Sequence, residues 1–398
     1  MAGRNRLWTI AVMQEKDFGM PRRSERIALR SPAPGTERHL LVHRYGLAGR
    51  GRKAYLQAAL HADEWPGLLA LQHLLRLLDQ ADAAGRIRGE IVVVPYANPI
   101  GMAQRIGSDL SGRYAFDGSG NFNRGWPDFA TRIAARLKGR LTGNTPADIV
   151  LVRQALREAA AAMPRRTEVD VLRASLAALA VDADIVLDVH CDCEALLHLY
   201  AAERHREEVE ALAGDLGAAV TMLSDSAGPS FDESMMSAWW RLGDILPEAK
   251  HLPSLCFACT VELRGKDQID DDLAKTDAQG LFNFLQRHDL IAGGAPPLKD
   301  PGLVCDLTAV EPVEAEEQGL VVFTKQLGEQ AQKGEVIAWL VNPAADNPAE
   351  GRRPIFAGQS GLVLSRIDAK LVRPGERIMK IAGSEPLDDR RQGALLED

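Results

Sequence analysis

The spacing of apolar positions changes repeatedly along this chain, and each change predicts an element. Residues 40–45 (LLVHRY) and 54–60 (AYLQAAL) read as strands, and residues 67–82 (GLLALQHLLRLLDQAD) repeat leucine at helical spacing. Residues 91–99 (IVVVPYANP) are a β-branched run ending in Asn-Pro, the pattern of a strand entering a turn. Residues 182–190 (DADIVLDVH) and 255–263 (LCFACTVEL) are almost continuously apolar, as strands buried on both faces are. Strands alternating with helices predict an α/β sheet flanked by helices on both faces. Between residues 128 and 183 the chain makes a helical excursion. Its two helices fall at residues 146–163 and 168–182, with Pro146 near the start of the first. They are alanine-rich, which reflects helix propensity and close packing, and no chemistry is assigned to them.

A different texture begins after residues 291–302 (IAGGAPPLKDPG), where Gly and Pro cluster behind the helical segment 271–290. Residues 319–340 and 361–381 echo each other. Each has a glycine, a β run, a polar turn, (K/P)-G-E and a second β run. That repeat predicts a small β-sandwich of two similar halves. The chain therefore divides into an α/β unit (1–295), an all-β unit (298–385) and a solvated tail (386–398).

Composition narrows the function classes. The 398 residues are enough for two domains, and 46% hydrophobic with 26% charged residues excludes disorder as the main state. Lys and Arg total 47 against 55 Asp and Glu, a net charge of −8. This gives no general attraction to nucleic acid or to an anionic membrane, so neither is expected as a partner. Cys191, Cys193, Cys256, Cys259 and Cys305 are an odd count in a long chain and read as reduced thiols in the cytoplasm. The apolar stretch at residues 7–13 is broken by Thr9 and followed by charges, unlike a signal peptide. No apolar run approaches the length of a transmembrane helix. A homo-oligomer remains open.

Four places carry candidate chemistry. Residues 61–67 (HADEWPG) follow one strand and precede a helix, at the strand end where α/β sheets bind ligands. His61 and Glu64 there are suited to zinc, which in catalytic sites takes three protein ligands and a water. Taken alone, the same pattern is also a helix N-terminus with acidic residues near its dipole. Residues 184–192 (DIVLDVHCD) aim His190 at the same rim as a third ligand, with Asp188 able to orient a ligand from behind; His190 could equally be a polar strand end. In residues 259–265 (CTVELRG), Glu262 ends an apolar strand, where a carboxylate can serve as general base. Burying an unpaired carboxylate is costly, so the plain alternative is a pair with Arg264. Finally, residues 98–105 and 112–128 form a Gly- and Asn-rich loop presenting Arg105, Arg113, Asn123 and Arg124. Arginine grips a carboxylate through two parallel hydrogen bonds, and Gly118 and Gly120 let the loop bend around a ligand.

In order, H-x-x-E, N-P…R…N-F-N-R, D-x-H and V-E-L-R resemble the succinylglutamate desuccinylase/aspartoacylase family, within the zinc carboxypeptidase-like (M14-type) superfamily, over roughly residues 35–290. The resemblance implies a zinc carboxypeptidase-like mixed sheet and one zinc per chain held by His61, Glu64 and His190. It implies Glu262 as catalytic base and Asn123 and Arg124 as the grip on a small carboxylate-bearing substrate. Cleavage of an N-acyl amino acid amide, or a related ester, follows. A further family arginine polarises the scissile carbonyl; Arg113 fits it best and Arg105 is the rival. The stretch between Arg113 and Asn123 is longer than in the family pattern. The C-terminal unit resembles a biotinyl/lipoyl-like barrel-sandwich hybrid. Its connection at residues 341–351 (VNPAADNPAEG) contains no lysine, which disfavours a carrier and favours a structural or access-shaping role.

Other readings compete. A zinc carboxypeptidase acting on short peptides would share every ligand, and a non-catalytic metal-binding protein would share the fold. A cysteine hydrolase using Cys191 beside His190 is disfavoured, because adjacent strand residues point to opposite faces. A structural zinc at Cys191/Cys193 and Cys256/Cys259 is disfavoured too, since both pairs lie within apolar strands, where cysteine is a small hydrophobe.

Overall fold

A computed structural model describes residues 22–226, 228–388 and 390. The apolar stretch at 7–13 and most of the expected tail lie outside them. Nine strands form the principal sheet: β1 (Arg23–Ala28), β2 (His39–Tyr45), β3 (Lys53–Ala58), β4 (Glu90–Val94), β5 (Ile185–Asp192), β6 (His198–Ala201), β7 (Val220–Leu223), β8 (Phe257–Gly265) and β9 (Leu303–Asp306). Their spatial order is β1-β2-β4-β3-β5-β8-β6-β7-β9. The central four, β4, β3, β5 and β8, are parallel, while β2 and β6 run antiparallel to them at either side. The sheet is therefore mixed. The parallel block brings the carboxyl ends of β3, β5 and β8 to one rim.

Among the described residues, seven α-helices cover this sheet: α1 (Pro66–Ala83), α2 (Phe129–Leu137), α3 (Thr145–Ala161), α4 (Glu168–Ala180), α5 (Arg206–Leu216), α6 (Phe231–Ile245) and α7 (Asp271–Arg287). Helices α1, α5 and α7 share one hydrophobic core with one face of the sheet; α2, α3, α4 and α6 fill the other. Local sequence explains their limits. Pro66 opens α1, where a missing N–H is harmless, and Gly67 lets the helix start against the sheet. A Cβ on Gly67 would lie 2.9 Å from both Ala58 Cβ and Val189 Cγ1. Asp128 and Asn144 cap α2 and α3, and Thr167 with Asp170 forms a reciprocal capping box on α4. These are the helices of the excursion at 128–183.

Beyond β9 come β10 (Val310–Glu314), β11 (Gly319–Phe323), β12 (Val336–Val341), β13 (Arg352–Phe356), β14 (Gly361–Arg366), β15 (Leu371–Val372) and β16 (Arg377–Ala382), with the short strand Gln330–Ala331 pairing β14. They form two small antiparallel sheets. One contains β14-β16-β10 and the other β13-β12-β11-β15, with a common core that includes Val321, Ile337, Val363 and Ile378. The sequence repeat is visible here: β11 pairs β12 in one sheet, and β14 pairs β16 in the other. The two textures interleave. After residue 298 the chain first adds β9 to the principal sheet beside β7, covering an otherwise open edge. In return, Glu194–Ala195 from just past β5 pairs with β14. Among the described residues, no helix is long and apolar enough to cross a membrane.

Candidate metal centre and active site

His61 and Glu64 sit in the turn between β3 and α1. Ala59, in the left-handed region at φ 56°, redirects the chain there. The turn is braced by Gly112, whose carbonyl accepts from Ala62 N at 3.1 Å. Any Cβ on Gly112 would overlap the Asp63 backbone, so only glycine permits this approach. His190 lies near the end of β5, and Glu262 stands beside it in register on β8. Thus three strand ends deliver the imidazoles and carboxylates to one point.

Glu64 bridges the two imidazoles. Its Oε1 lies 2.9 Å from His61 Nδ1 and its Oε2 lies 2.6 Å from His190 Nδ1. All three residues are buried, and one ligating atom from each falls within 4.8 Å of the others. The far nitrogens are held from behind. Asp188 Oδ2 lies 3.0 Å from His190 Nε2, and Asp188 Oδ1 accepts from Gln57 Nε2 at 2.8 Å. Tyr55 in turn donates to Gln57 Oε1 at 2.7 Å. Asn121 Oδ1 lies 2.9 Å from His61 Nε2. Oxygen atoms thus stand behind both rings, and Nδ1 of each faces Glu64. This is the outer arrangement that orients metal-bound histidines, and the set of two imidazoles and one carboxylate fits zinc.

Electrostatics agree with that fit. Burial works against charge on His190, but Asp188 and Glu64 outweigh it and raise its pKa well above the usual value. Burial likewise opposes charge on Glu64, and the two imidazoles overcome it, holding the carboxyl well below its ordinary range. Burial lowers the pKa of His61. Without a cation the cluster thus keeps a proton among its members, the place a metal ion would take.

Asn121, which the N-F-N-R pattern presents two residues before Asn123, is a further candidate site residue through its contact with His61. Asn121→Ala is expected to weaken zinc binding by roughly 10–100-fold, the usual effect of removing such a partner. Competition with a zinc-binding dye measures it, and unchanged affinity would count against the role.

Glu262 Oε2 is buried and has no hydrogen-bond partner among the described residues. Burial, followed by the nearby Glu64 charge, pushes its pKa up to about 8. The alternative pair with Arg264 does not form, because Arg264 takes φ 63° and turns to Asp277 on α7. Arg113 reaches the centre, 3.5 Å from both Glu64 Oε1 and His61 Nε2. A small hairpin pairs Tyr114–Ala115 with Gly120–Asn121, and Phe122 N donates to Arg113 O at 3.0 Å. That fold absorbs the long stretch after Arg113 and brings Asn123 and Arg124 back to the site. Asn123 Oδ1 accepts from Phe231 N at 2.8 Å, and its Nδ2 lies 3.4 Å from His190 Nε2. Arg124 donates to Asn123 O at 2.9 Å.

Arg105, the expected rival of Arg113, lies apart from the other candidate site residues. The turn pairing Arg105–Ile106 with Asp109–Leu110 leaves its side chain exposed, donating to Ser108 O at 3.1 Å. It borders a separate cleft with Phe116 and Arg166. Cys191 is buried, and burial followed by the Glu64 charge raises its pKa, which opposes a thiolate.

His61, His190, Glu262, Arg113, Asn123 and Arg124 all line one cavity of about 340 Å³. Its opposite wall comes from the small sheets. Arg366 and Lys370 there reach Glu194 at 2.8 Å and 2.7 Å, and Lys266 pairs with Asp368.

Comparison with known proteins agrees with this geometry. Residues 50–288 match the model of the succinylglutamate desuccinylase/aspartoacylase catalytic domain. The chain is 26% identical over 347 residues to N-alpha-acetyl-L-2,4-diaminobutyric acid deacetylase of Halomonas elongata, covering 84% of this chain and 83% of that one. A candidate succinylglutamate desuccinylase/aspartoacylase from Shewanella frigidimarina shares the fold, with TM-score 0.81 and 23% identity over 91% of this chain and 97% of that chain. A succinylglutamate desuccinylase/aspartoacylase family protein from Shewanella amazonensis gives TM-score 0.78 and 25% identity over 91% of this chain and 98% of that chain.

Proposed function

Since the chain belongs to the succinylglutamate desuccinylase/aspartoacylase family, we propose that it is a zinc-dependent hydrolase cleaving the amide of a small N-acyl amino acid. The observation that carries this reading is the buried His61–Glu64–His190 cluster with Glu262 and Arg113 in the same small cavity. A zinc ion there would supply a Lewis acid that polarises the acyl carbonyl and acidifies the attacking water.

The chain's own groups do the rest. Asn123 and Arg124 hold the substrate carboxylate, which fixes the scissile bond against the rim. The Arg113 guanidinium stabilises the charge that develops on the carbonyl oxygen. Glu262 Oε2 takes the proton of the attacking water, then hands it to the amide nitrogen as the C–N bond breaks. The products are a free carboxylate and a free amino acid.

The cavity volume favours an amino acid derivative over a peptide, which would have to extend past the wall formed by the small sheets. We assign residues 1–295 to catalysis and residues 298–385 to a barrel-sandwich unit of the biotinyl/lipoyl-like kind that shapes access and carries no cofactor. The test is hydrolysis of N-acetyl, N-succinyl and N-formyl amino acids by zinc-loaded protein, beside short peptides with free C-termini. Turnover of the acyl amino acids is expected. Turnover of the peptides alone would replace this reading with the carboxypeptidase one.

A further inference from the structure

A second cleft, of about 730 Å³, is built from three segments remote in sequence: the loop after β1, the loop after β4 and the start of α4. None of the residues lining it lines the catalytic cavity. Arg30, Arg105 and Arg166, one from each segment, converge there. Arg38 lines the cleft too, but it grips Glu168 through two hydrogen bonds at 2.9 Å and 2.8 Å, so that pair is neutral. Asp117 is the acidic residue left to face three guanidiniums, on a chain whose net charge is −8. Its Oδ1 already accepts from Ser119 N at 2.9 Å.

These three arginines have donors to spare, since each guanidinium carries five N–H bonds. Arg30 donates to Arg165 O at 3.5 Å and Arg105 to Ser108 O at 3.1 Å. Arg166 is engaged through its backbone N, which donates to Asp170 Oδ2 at 3.1 Å. Among the described residues none of the three side chains pairs with a carboxylate. The first turn of α4 is already capped by Thr167 and Asp170, so the helix terminus is not part of the argument. Guanidinium matches phosphate oxygens through paired hydrogen bonds, which suits the cleft to a ligand with several phosphate oxygens. The cleft is also larger than one inorganic phosphate fills, and lies within the ~300–1,000 Å³ of sites for organic ligands. Phe116 lines it with 54% of its surface exposed, a ring face on which a flat heterocycle can stack.

The cleft also touches the loop that presents Arg113. Gln104 lines the cleft and is buried. Its Oε1 accepts from Phe116 N at 2.9 Å, and its Nε2 donates to Ser111 O at 2.8 Å and Tyr114 O at 2.7 Å. Arg113 lies between those last two residues and points to the catalytic cavity instead. We propose that the cleft is an effector site for a nucleotide carrying two or more phosphates, and that its occupancy steadies residues 104–118 and with them Arg113. Arg30, Arg105 and Arg166 hold the phosphates and Phe116 stacks on the base. The binding rests on no assumption about the reaction, so its failure leaves the deacylase reading untouched.

The experiment is calorimetric titration of zinc-loaded full-length protein with ADP, ATP, pyrophosphate and adenosine, with magnesium in excess so that the phosphates do not strip zinc. ADP and ATP are expected to bind, pyrophosphate more weakly, and adenosine not measurably. Arg166→Ala and Arg30→Ala should each weaken ADP and pyrophosphate by about 10-fold or more, as loss of a charge-assisted hydrogen bond does. Phe116→Ala should weaken ADP by about 10-fold and leave pyrophosphate unchanged, because it removes only the stacking face. All three positions are exposed, so the variants should fold and keep zinc as wild type does. Hydrogen exchange of the amides at 104–118 supplies the second readout. ADP should slow it in wild type and not in Arg166→Ala. Wild type that binds neither nucleotide, or ADP affinity equal to wild type in both arginine variants, would overturn the site, the latter by placing the nucleotide in the catalytic cavity. Pyrophosphate binding as tight as ADP, with Phe116→Ala without effect, would overturn the nucleotide assignment in favour of an inorganic anion. Unchanged exchange at 104–118 with ADP bound would overturn the effect on the Arg113 loop.

Discussion

Replacing His190 with alanine is expected to reduce bound zinc from about one per chain to a small fraction of that, and His61→Ala should do the same. Each change leaves only two of the three ligands that a catalytic zinc takes. The loss extends past the missing bond. Glu64 Oε2 would lose its 2.6 Å partner, and Asp188, which is fully buried, would lose the imidazole at 3.0 Å. Glu64 Oε2 would keep only the Cys191 N–H at 3.3 Å, and poorly paired buried groups cost roughly 1–3 kcal/mol each, so the metal-free His190→Ala protein should also melt earlier than metal-free wild type. Elemental analysis after dialysis gives the occupancy. Full zinc in both variants would place the metal, and with it the chemistry, elsewhere.

The parts of this site that were legible in the sequence share one physical cause. His61, His190 and Glu262 each interrupt or follow a run of buried strand residues. A polar group there is too costly to keep without a partner, so it announces a site. The α/β sheet and the helices at 128–183 were legible for a related reason, since their apolar periods are long enough to count. The remainder depends on direction and on distance in sequence. Arg105 and Arg113 lie in the same glycine-rich loop, and nothing in their composition tells which faces inward. The two-residue pairings at 105–110 and 114–121 decide it, and strands that short have no period. Asn121 was hidden because its partner, His61, lies 60 positions away. The Lys380–Asp192 contact joins residues 188 positions apart. Likewise, β9 and Glu194–Ala195 cross between the two textures, although local composition places a simple boundary near residue 298.

Glu262→Gln should keep zinc yet lose about 10²–10⁴-fold in turnover, the usual contribution of a positioned general base. Glutamine preserves the shape of the side chain beside His190 but offers no site for the water's proton. The ligands are untouched, so metal content separates this outcome from a damaged centre. A pH dependence follows from the same carboxyl. In metal-free protein its pKa is pushed from 4.5 up to about 8, by burial first and then by the Glu64 charge. The folded state therefore holds this proton more tightly than the unfolded chain does. The corresponding stability is fully present below about pH 4.5 and is lost as pH rises through about 8. Glutamine mimics the protonated form, so the melting temperature of metal-free Glu262→Gln should fall less steeply between those limits than that of wild type. A dication among His61, Glu64 and His190 offsets the Glu64 charge and favours the ionised base, so zinc uptake should release the Glu262 proton. Uptake measured in weak buffer near pH 7 should accordingly release about one proton fewer in the variant, as the displaced carboxyl proton is missing. Near-normal turnover by zinc-loaded Glu262→Gln would make Glu262 a structural residue and leave the base to be found elsewhere on the rim.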